Sequence, residues 1–272
     1  MNRDHVQPLS ALPAAALKCV CGVLTDIDDT LTTEGAITPD ALNALRQLRA
    51  AGLPVVAITG RPMGWSEPFA QPPPQGWPLD AIVAENGAVA LFCEGGAMVT
   101  EFAQAADVRA ANALRLRQVA QRVLREVPGA SLARDSVGRV TDIAIDHSEF
   151  AHLPLAYIEQ AVALMRGEGM NATVSSIHIN GWFGEHTKLS GARWMVQRLF
   201  GRDIEAERAQ WVYVGDSTND QLMFGHFPLS VGVANLLRFE GELQTWPAYL
   251  TQRERGAGFA ELVGQLLNAR AA

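Results

Sequence analysis

Three carboxylates stand close behind an apolar run in the stretch CGVLTDIDDTL: Asp26, Asp28 and Asp29 follow Val20 to Leu24. Apolar residues giving way at once to acids read as a buried strand that delivers carboxylates to its C-terminal end. In open α/β sheets that end is where ligands bind. Asp26 and Asp28 are two residues apart, so a bend between them aims both into one crevice. Two carboxylates about 4 Å apart repel by roughly 4 kcal/mol at an effective dielectric of 20, so a proton or a cation must accompany them. Magnesium suits the role, because it takes one or two carboxylates together with water and phosphate oxygens. A lone D-x-D also fits a solvated acidic turn; the rest of the chain decides between the two.

The same grammar recurs. LPVVAITGRP is an apolar run ending in Thr59, Gly60 and Arg61, and WVYVGDSTNDQLM breaks at Gly215 before Asp216, Asn219 and Asp220. At helical spacing those last three share one face at a helix N-terminus, whose free backbone donors suit an anion. Lys188 opens the preceding helix, LSGARWMVQRLFG, which stops at Gly201.

The elements that must position these residues follow from periodicity. Thr38-Pro39-Asp40 starts a helix with Ala41, Leu42, Leu45 and Leu48 on one side and Gly52 as its stop. Strand, helix, strand at this length is a βαβ unit, so the sheet is parallel and Thr59 lands on the same sheet edge as Asp26. The first nineteen residues read as a loose leader, and the proline-rich 62–78 stretch as a distorted helix and loop. LDAIVAENGA is a third strand, and AVALFCEGGAMVTEF a hairpin. Beyond it the pattern predicts a helix from Ala105 to Val127 with a solvated arginine face, a strand from Val140 to Asp146, a helix from Leu155 to Arg166 and a strand from Ala172 to Asn180. Placed away from the carboxylates, these form a separate α/β module. The expected division is a core of residues 1–87 and 185–272 with an insert at 88–184.

The chain has 272 residues, 48% apolar and 19% charged, and carries a net charge of -7. That is the composition of a globular protein with a substantial core, and the charge argues against nucleic acid as a partner. No apolar run reaches membrane length, and nothing resembles a signal peptide, so the expected setting is the cytoplasm. Cys19, Cys21 and Cys93 lack metal-binding spacing; the first two read as small hydrophobes of the first strand. The six histidines show no H-x-H or H-E-x-x-H pattern.

Taken together, DIDDT at 26–30, Thr59, Lys188 and GDSTND at 215–220 resemble the four motifs of the haloacid dehalogenase superfamily. The segment between the second and third motifs, with ENGA at 85–88, looks like the cap of the sugar-phosphatase subfamily IIB. The resemblance implies a doubly wound, mainly parallel, Rossmann-like α/β core with an inserted α/β cap of type C2. It implies a magnesium-dependent hydrolysis of a small phosphorylated metabolite, a sugar phosphate in that subfamily, through an aspartyl phosphate. On that likeness Asp26 is the nucleophile and Asp28 the acid and base. Thr59, Lys188 and the amides of Ile27 and Gly60 hold the phosphoryl oxygens. The metal set is drawn from Asp26, Asp28, Asp216 and Asp220, with Asn219 beside it. A phosphomutase uses the same residues but must shield the aspartyl phosphate from water. A non-enzymatic phospho-receiver module lacks an acid two residues after its acceptor, and Asp28 argues against it.

Weaker candidates lie beside these. Arg61 and Asn86 sit at strand ends facing the crevice, where turn roles account for them as well as substrate contact does. His178 and Asn180 alternate on one strand face next to Trp182, and Arg139 and His147 bracket another strand. A polar outer sheet face predicts the same pattern. Oligomeric state is not legible in the sequence.

Overall fold

The computed structural model describes residue 3 and residues 5–272. In chain order its elements are β1 (Gln7–Pro8), α1 (Ala14–Lys18), β2 (Gly22–Thr25), β3 (Thr32–Thr33), β4 (Ala36–Ile37), α2 (Pro39–Ala50), β5 (Val55–Ile58), α3 (Met63–Ser66), β6 (Ala81–Ala84), β7 (Val89–Glu94), β8 (Ala97–Phe102) and α4 (Ala106–Glu126). There follow β9 (Ser131–Leu132), β10 (Asp142–Asp146), α5 (Leu155–Gly167), β11 (Asn171–Val174), β12 (His178–Trp182), α6 (Lys188–Phe200), β13 (Trp211–Gly215), α7 (Gln221–His226), β14 (Leu229–Gly232), β15 (Tyr249–Leu250) and α8 (Arg255–Ala271).

Nine strands form the main sheet in the order β1-β15-β14-β13-β2-β5-β6-β7-β8. All neighbours from β1 to β6 pair in parallel, and β7 and β8 add an antiparallel edge. From β2 the chain winds outward through β5 and β6 on one side and later through β13 and β14 on the other. The β2/β13 boundary is therefore the topological switch point, where a crevice opens at the strand C-termini.

Alternation along the strands splits the core into two layers. Val23, Val55, Ala57, Val212 and Val214 pack with Leu45, Leu48, Phe259 and Leu262 on one face. Leu24, Val56, Ile58, Trp211 and Tyr213 pack with Met195, Val196 and Phe224 on the other. Fully buried leucines such as Leu45 and Leu48 contribute about 1.5–3 kcal/mol each by leaving water. Gly22 is required by this packing, since a Cβ there would lie 2.2 Å from the Trp211 ring. For α2, the Thr38 side chain caps the Ala41 amide, Pro39 opens the helix, and Gly52 leaves it at φ +70°.

A second sheet, β11-β12-β10-β9, is antiparallel throughout and packs against α4 and α5 around Val123, Ile145, Met165 and Ile179. Among the described residues no helix is long and apolar enough to cross a membrane.

Four expectations change. The supposed leader is part of the fold: Gln7 and Pro8 pair with Tyr249 and Leu250, and Leu9, Leu12 and Leu17 are buried in the main core. The hairpin β7–β8, expected in the insert, extends the main sheet; the second sheet begins only at Ser131. The stretch Ala172 to Asn180 is two strands, because Ser175 turns the chain by accepting the His178 amide on its hydroxyl. Cys19 lies outside the first strand, at the C-terminus of α1, and is exposed; Cys21 is half-buried, and all three cysteines are free.

Candidate active site

The three strand ends meet at the switch point. Asp26 follows β2, Thr59 follows β5 and Asp216 follows β13, and Lys188 arrives from the first residue of α6. That helix is brought close by the Asn86–Gly87 turn: a Cβ on Gly191 would lie 2.8 Å from the Gly87 Cα, and one on Gly87 would lie 2.1 Å from the Thr187 carbonyl oxygen. Gly87 also adopts φ +109°, which a side chain would strain. Thr187 caps the helix through a reciprocal pair with Ser190, fixing its first residue.

The Lys188 ammonium is buried, 2.9 Å from Asp26 Oδ1 and 2.7 Å from Asp220 Oδ1, and donates to Asn219 Oδ1 at 3.3 Å. Burial pulls its proton affinity down, and the charges of Asp220 and Asp26 outweigh that and raise it, so it is a cation here. Burial pushes Asp26 up to about 7, against the pull of Lys188 and with the help of Asp220 and Asp28. Burial, with Asp26 and Asp220, likewise pushes Asp216 well above the usual carboxylate range. Lys188 and the more exposed Arg238, 3.5 Å from Asp216 Oδ2, set two cations against three carboxylates, so a further cation would complete the charge balance.

Oxygens of Asp26, Asp216 and Asp220 converge within 4.8 Å of one another. Their commitments differ. Asp216 Oδ1 is buried with no hydrogen-bond partner, while Oδ2 accepts from Asn235 Nδ2 at 3.1 Å. Both oxygens of Asp220 are engaged: Oδ1 by Lys188 and the Tyr213 hydroxyl, Oδ2 by the amides of Asp216 and Ser217. Asp220 therefore orders the loop and orients the lysine, and is spent as a direct ligand. Hard carboxylate oxygens with one buried lone pair unpartnered fit a magnesium ion.

The Asp28 carboxylate turns the other way. It is held side-on by Arg61, which engages both of its oxygens. Arg61 also reaches Asp135 at 3.1 Å and Glu149 at 2.8 Å in the inserted module and lies over Trp65. Glu149 is further bound to His178 Nε2 at 2.9 Å. Burial would raise Glu149, but the His178 and Arg61 hydrogen bonds and the charge of Arg61 hold it at about 2. Thr59 Oγ1 accepts the Arg61 amide at 3.0 Å. The Ile27 side chain is buried in the core, and its carbonyl closes the acidic turn by accepting from Leu31 at 2.9 Å.

Among the weaker candidates, Asn86 is buried with Nδ2 unpartnered, and a Cβ on Gly60 would lie 3.3 Å from that nitrogen. His178 is taken by Glu149. The Asn180 amide is taken by Asp142 and the Gly60 carbonyl, so the polar strand face is committed within the protein. Sequence reasoning missed Tyr213, Asn235, Glu85 and Glu149. Asn235 follows β14 at the same sheet edge, a position that could have marked it. Glu85, fully buried, accepts from Met63, Val140 and the backbone and hydroxyl of Thr141, tying the two modules together.

Two openings reach the site between the modules. One, of about 570 Å³, runs past Asp28, Arg61, His147, Glu149 and Ile177. The other, of about 330 Å³, lies between Asn86, Lys188 and Asn219 on one side and Arg166, Thr173 and Trp182 on the other.

The chain is a doubly wound α/β sheet with clustered aspartates and a lysine at its switch point, beside a second small sheet. Residues 23–115 match the family model of haloacid dehalogenase-like hydrolases. Among solved structures, a Thermoplasma acidophilum protein superposes with a TM-score of 0.68 at 12% identity, over 91% of this chain and 98% of that one. A HAD/COF-like hydrolase from Plasmodium vivax gives 0.65 at 16%, over 93% and 98%. The sucrose-phosphatase from Synechocystis, solved with sucrose and phosphate, gives 0.64 at 16%, over 91% and 98%. No curated protein matches the sequence. The family match thus covers residues 23–115, and the fold of nearly the whole chain is shared with these structures.

Proposed function

We propose that the protein is a magnesium-dependent phosphatase of small phosphorylated metabolites, with sugar phosphates as the substrate class, working through an aspartyl phosphate. The observation that carries this reading is the buried Lys188 ammonium joining Asp26 and Asp220 beside the unpartnered Asp216 oxygen. Phosphoryl transfer is mostly positioning and charge stabilisation, and the site is built of those elements.

Asp26 attacks phosphorus, breaking the ester bond and taking the phosphoryl group; water then attacks the acyl phosphate and regenerates the carboxylate. Asp28, on the leaving-group side, gives a proton to the departing alkoxide and receives one from that water. Because this structure holds Asp28 in an ion pair, substrate must draw Arg61 aside or share it. Lys188, Thr59 and the amides of Ile27 and Gly60 grip the phosphoryl oxygens, and Asn86 and Asn219 face the same place. Asp26, Asp216 and the Asp28 backbone would hold magnesium, which when bound neutralises charge on the carboxylates and the phosphoryl group.

The second sheet with α4 and α5 serves as the cap that selects the leaving group and excludes water. Subfamily likeness favours a sugar phosphate: the sucrose-phosphatase superposes over 91% of this chain. Three free cysteines suit a reducing cytoplasm.

The test is phosphate release from a panel of phosphorylated sugars, with and without EDTA. Magnesium-dependent release by the wild-type protein and none by Asp26→Asn is the expected result. Turnover retained in Asp26→Asn rules out the covalent route, and phosphoryl transfer between sugar positions without release points to a mutase.

A further inference from the structure

One peptide group links the inserted module to the phosphate side of the site. The Gly60 carbonyl accepts from Arg139 Nη1 at 2.9 Å and from Asn180 Nδ2 at 3.3 Å, both from across the interface. The amide of the same peptide, on Arg61, donates to Thr59 Oγ1 at 3.0 Å. A peptide group is planar, so fixing its carbonyl fixes its N–H. With its oxygen already accepting, the Thr59 hydroxyl has its own proton left to give to an acceptor.

The two donors are themselves anchored. Arg139 Nη1 lies 2.9 Å from each Asp142 oxygen, and Asn180 Nδ2 lies 3.2 Å from Asp142 Oδ2. Neighbouring strands β10 and β12 carry the aspartate and the asparagine. Arg139 and Asp142 side chains are 2% and 0% exposed. A buried ion pair seldom stabilises a protein more than an apolar pair of the same volume would. Holding two donors on one carbonyl is a task an apolar pair cannot perform.

We infer that Arg139 and Asn180 are positioning residues: seated on the cap, they orient the Gly60–Arg61 peptide so that Thr59 presents its hydroxyl proton to a phosphoryl oxygen. This deepens the phosphatase reading and rests on Thr59 as a phosphate ligand. A cap that swings away takes both donors with it, so tight phosphate binding requires the closed arrangement.

The experiment is calorimetric binding of inorganic phosphate, with magnesium present, to the wild type, Asn180→Ala, Thr59→Val and the double variant. Each single change is expected to weaken binding about five- to tenfold, the worth of one hydrogen bond. The double variant is expected to bind no more weakly than Thr59→Val, because Asn180 acts through Thr59. Losses that add, or wild-type affinity in Asn180→Ala, overturn the inference. Failure of the wild type to bind phosphate, or an unaltered affinity in Thr59→Val, instead overturns the reading beneath it. Should Asn180→Ala fail to fold, Arg139→Lys replaces it in the cycle, keeping a charge beside Asp142 while shortening the reach to Gly60, and the same outcomes decide.

Discussion

Arg61 and Asp28 form a side-on ion pair, with Nε 3.0 Å from both carboxylate oxygens and Nη2 2.9 Å from Oδ1. The same guanidinium reaches Asp135 and Glu149 in the inserted module. One cation thus joins the acid–base candidate to the inserted module.

Removing it should cost both stability and rate. Arg61→Met strips Asp28 of its counter-charge and leaves Asp135 with Arg139 and Glu149 with His178 alone, and breaking a buried pair costs about 3–5 kcal/mol. Thermal unfolding should show the loss, and kcat/KM for a phosphorylated sugar should fall more than it does for Arg61→Lys.

Asn235 is expected to control metal affinity. Its amide donates to Asp216 Oδ2 at 3.1 Å and to the Asp29 carbonyl at 3.0 Å, so it aims the other Asp216 oxygen into the carboxylate cluster. Outer partners of this kind are worth about 10–100-fold in metal affinity. Asn235→Ala should raise the magnesium concentration for half-maximal phosphate release by that factor and leave the maximal rate much less changed.

His186 makes stability pH-dependent. Burial pushes its imidazole from the ordinary 6.5 down to about 4, and neither ring nitrogen has a hydrogen-bond partner among the described residues. The unfolded chain takes up a proton that the fold refuses, so stability is full above pH 6.5 and falls as pH drops toward 4. The loss is on the order of 2–3 kcal/mol across that window. Urea midpoints measured from pH 7 down to 4 should shift in favour of His186→Leu relative to the wild type, because the variant lacks this contribution.

The N-terminal segment should behave as core. Leu9 is fully buried in the cluster that holds Phe259 and Leu262. Leu9→Ala should lower unfolding stability by about 2–5 kcal/mol. A change near zero in urea titration would mean that this segment adds nothing to the fold.

The strand ends were legible in the sequence because they are local events. An apolar run breaking into Asp26 and Asp28, into Thr59 and Gly60, or into Gly215 and Asp216 shows both the buried strand and the polar group at its end. Parallel βαβ order then brings those ends to one edge. The same reasoning failed at the edges of the molecule. Gln7 and Pro8 form a strand only because Tyr249 and Leu250 lie beside them, and no local pattern records a partner so far along the chain. The hairpin at 89–102 has the same alternation in either module, so periodicity could not say which sheet it joins.

What the sequence determined by itself was the inventory and its grouping: the carboxylates, the threonine and the lysine, each placed by strand or helix periodicity. What the tertiary structure alone decided is how those groups are spent. Asp28 is bound to Arg61, Asp220 to Lys188 and two amides, Asn180 to Gly60 and Asp142, and only Asp216 keeps a buried oxygen unpartnered among these acids. Side-chain periodicity reports which face of an element is buried, whereas a hydrogen bond between residues 60 and 180 depends on the docking of two modules, which no single element encodes.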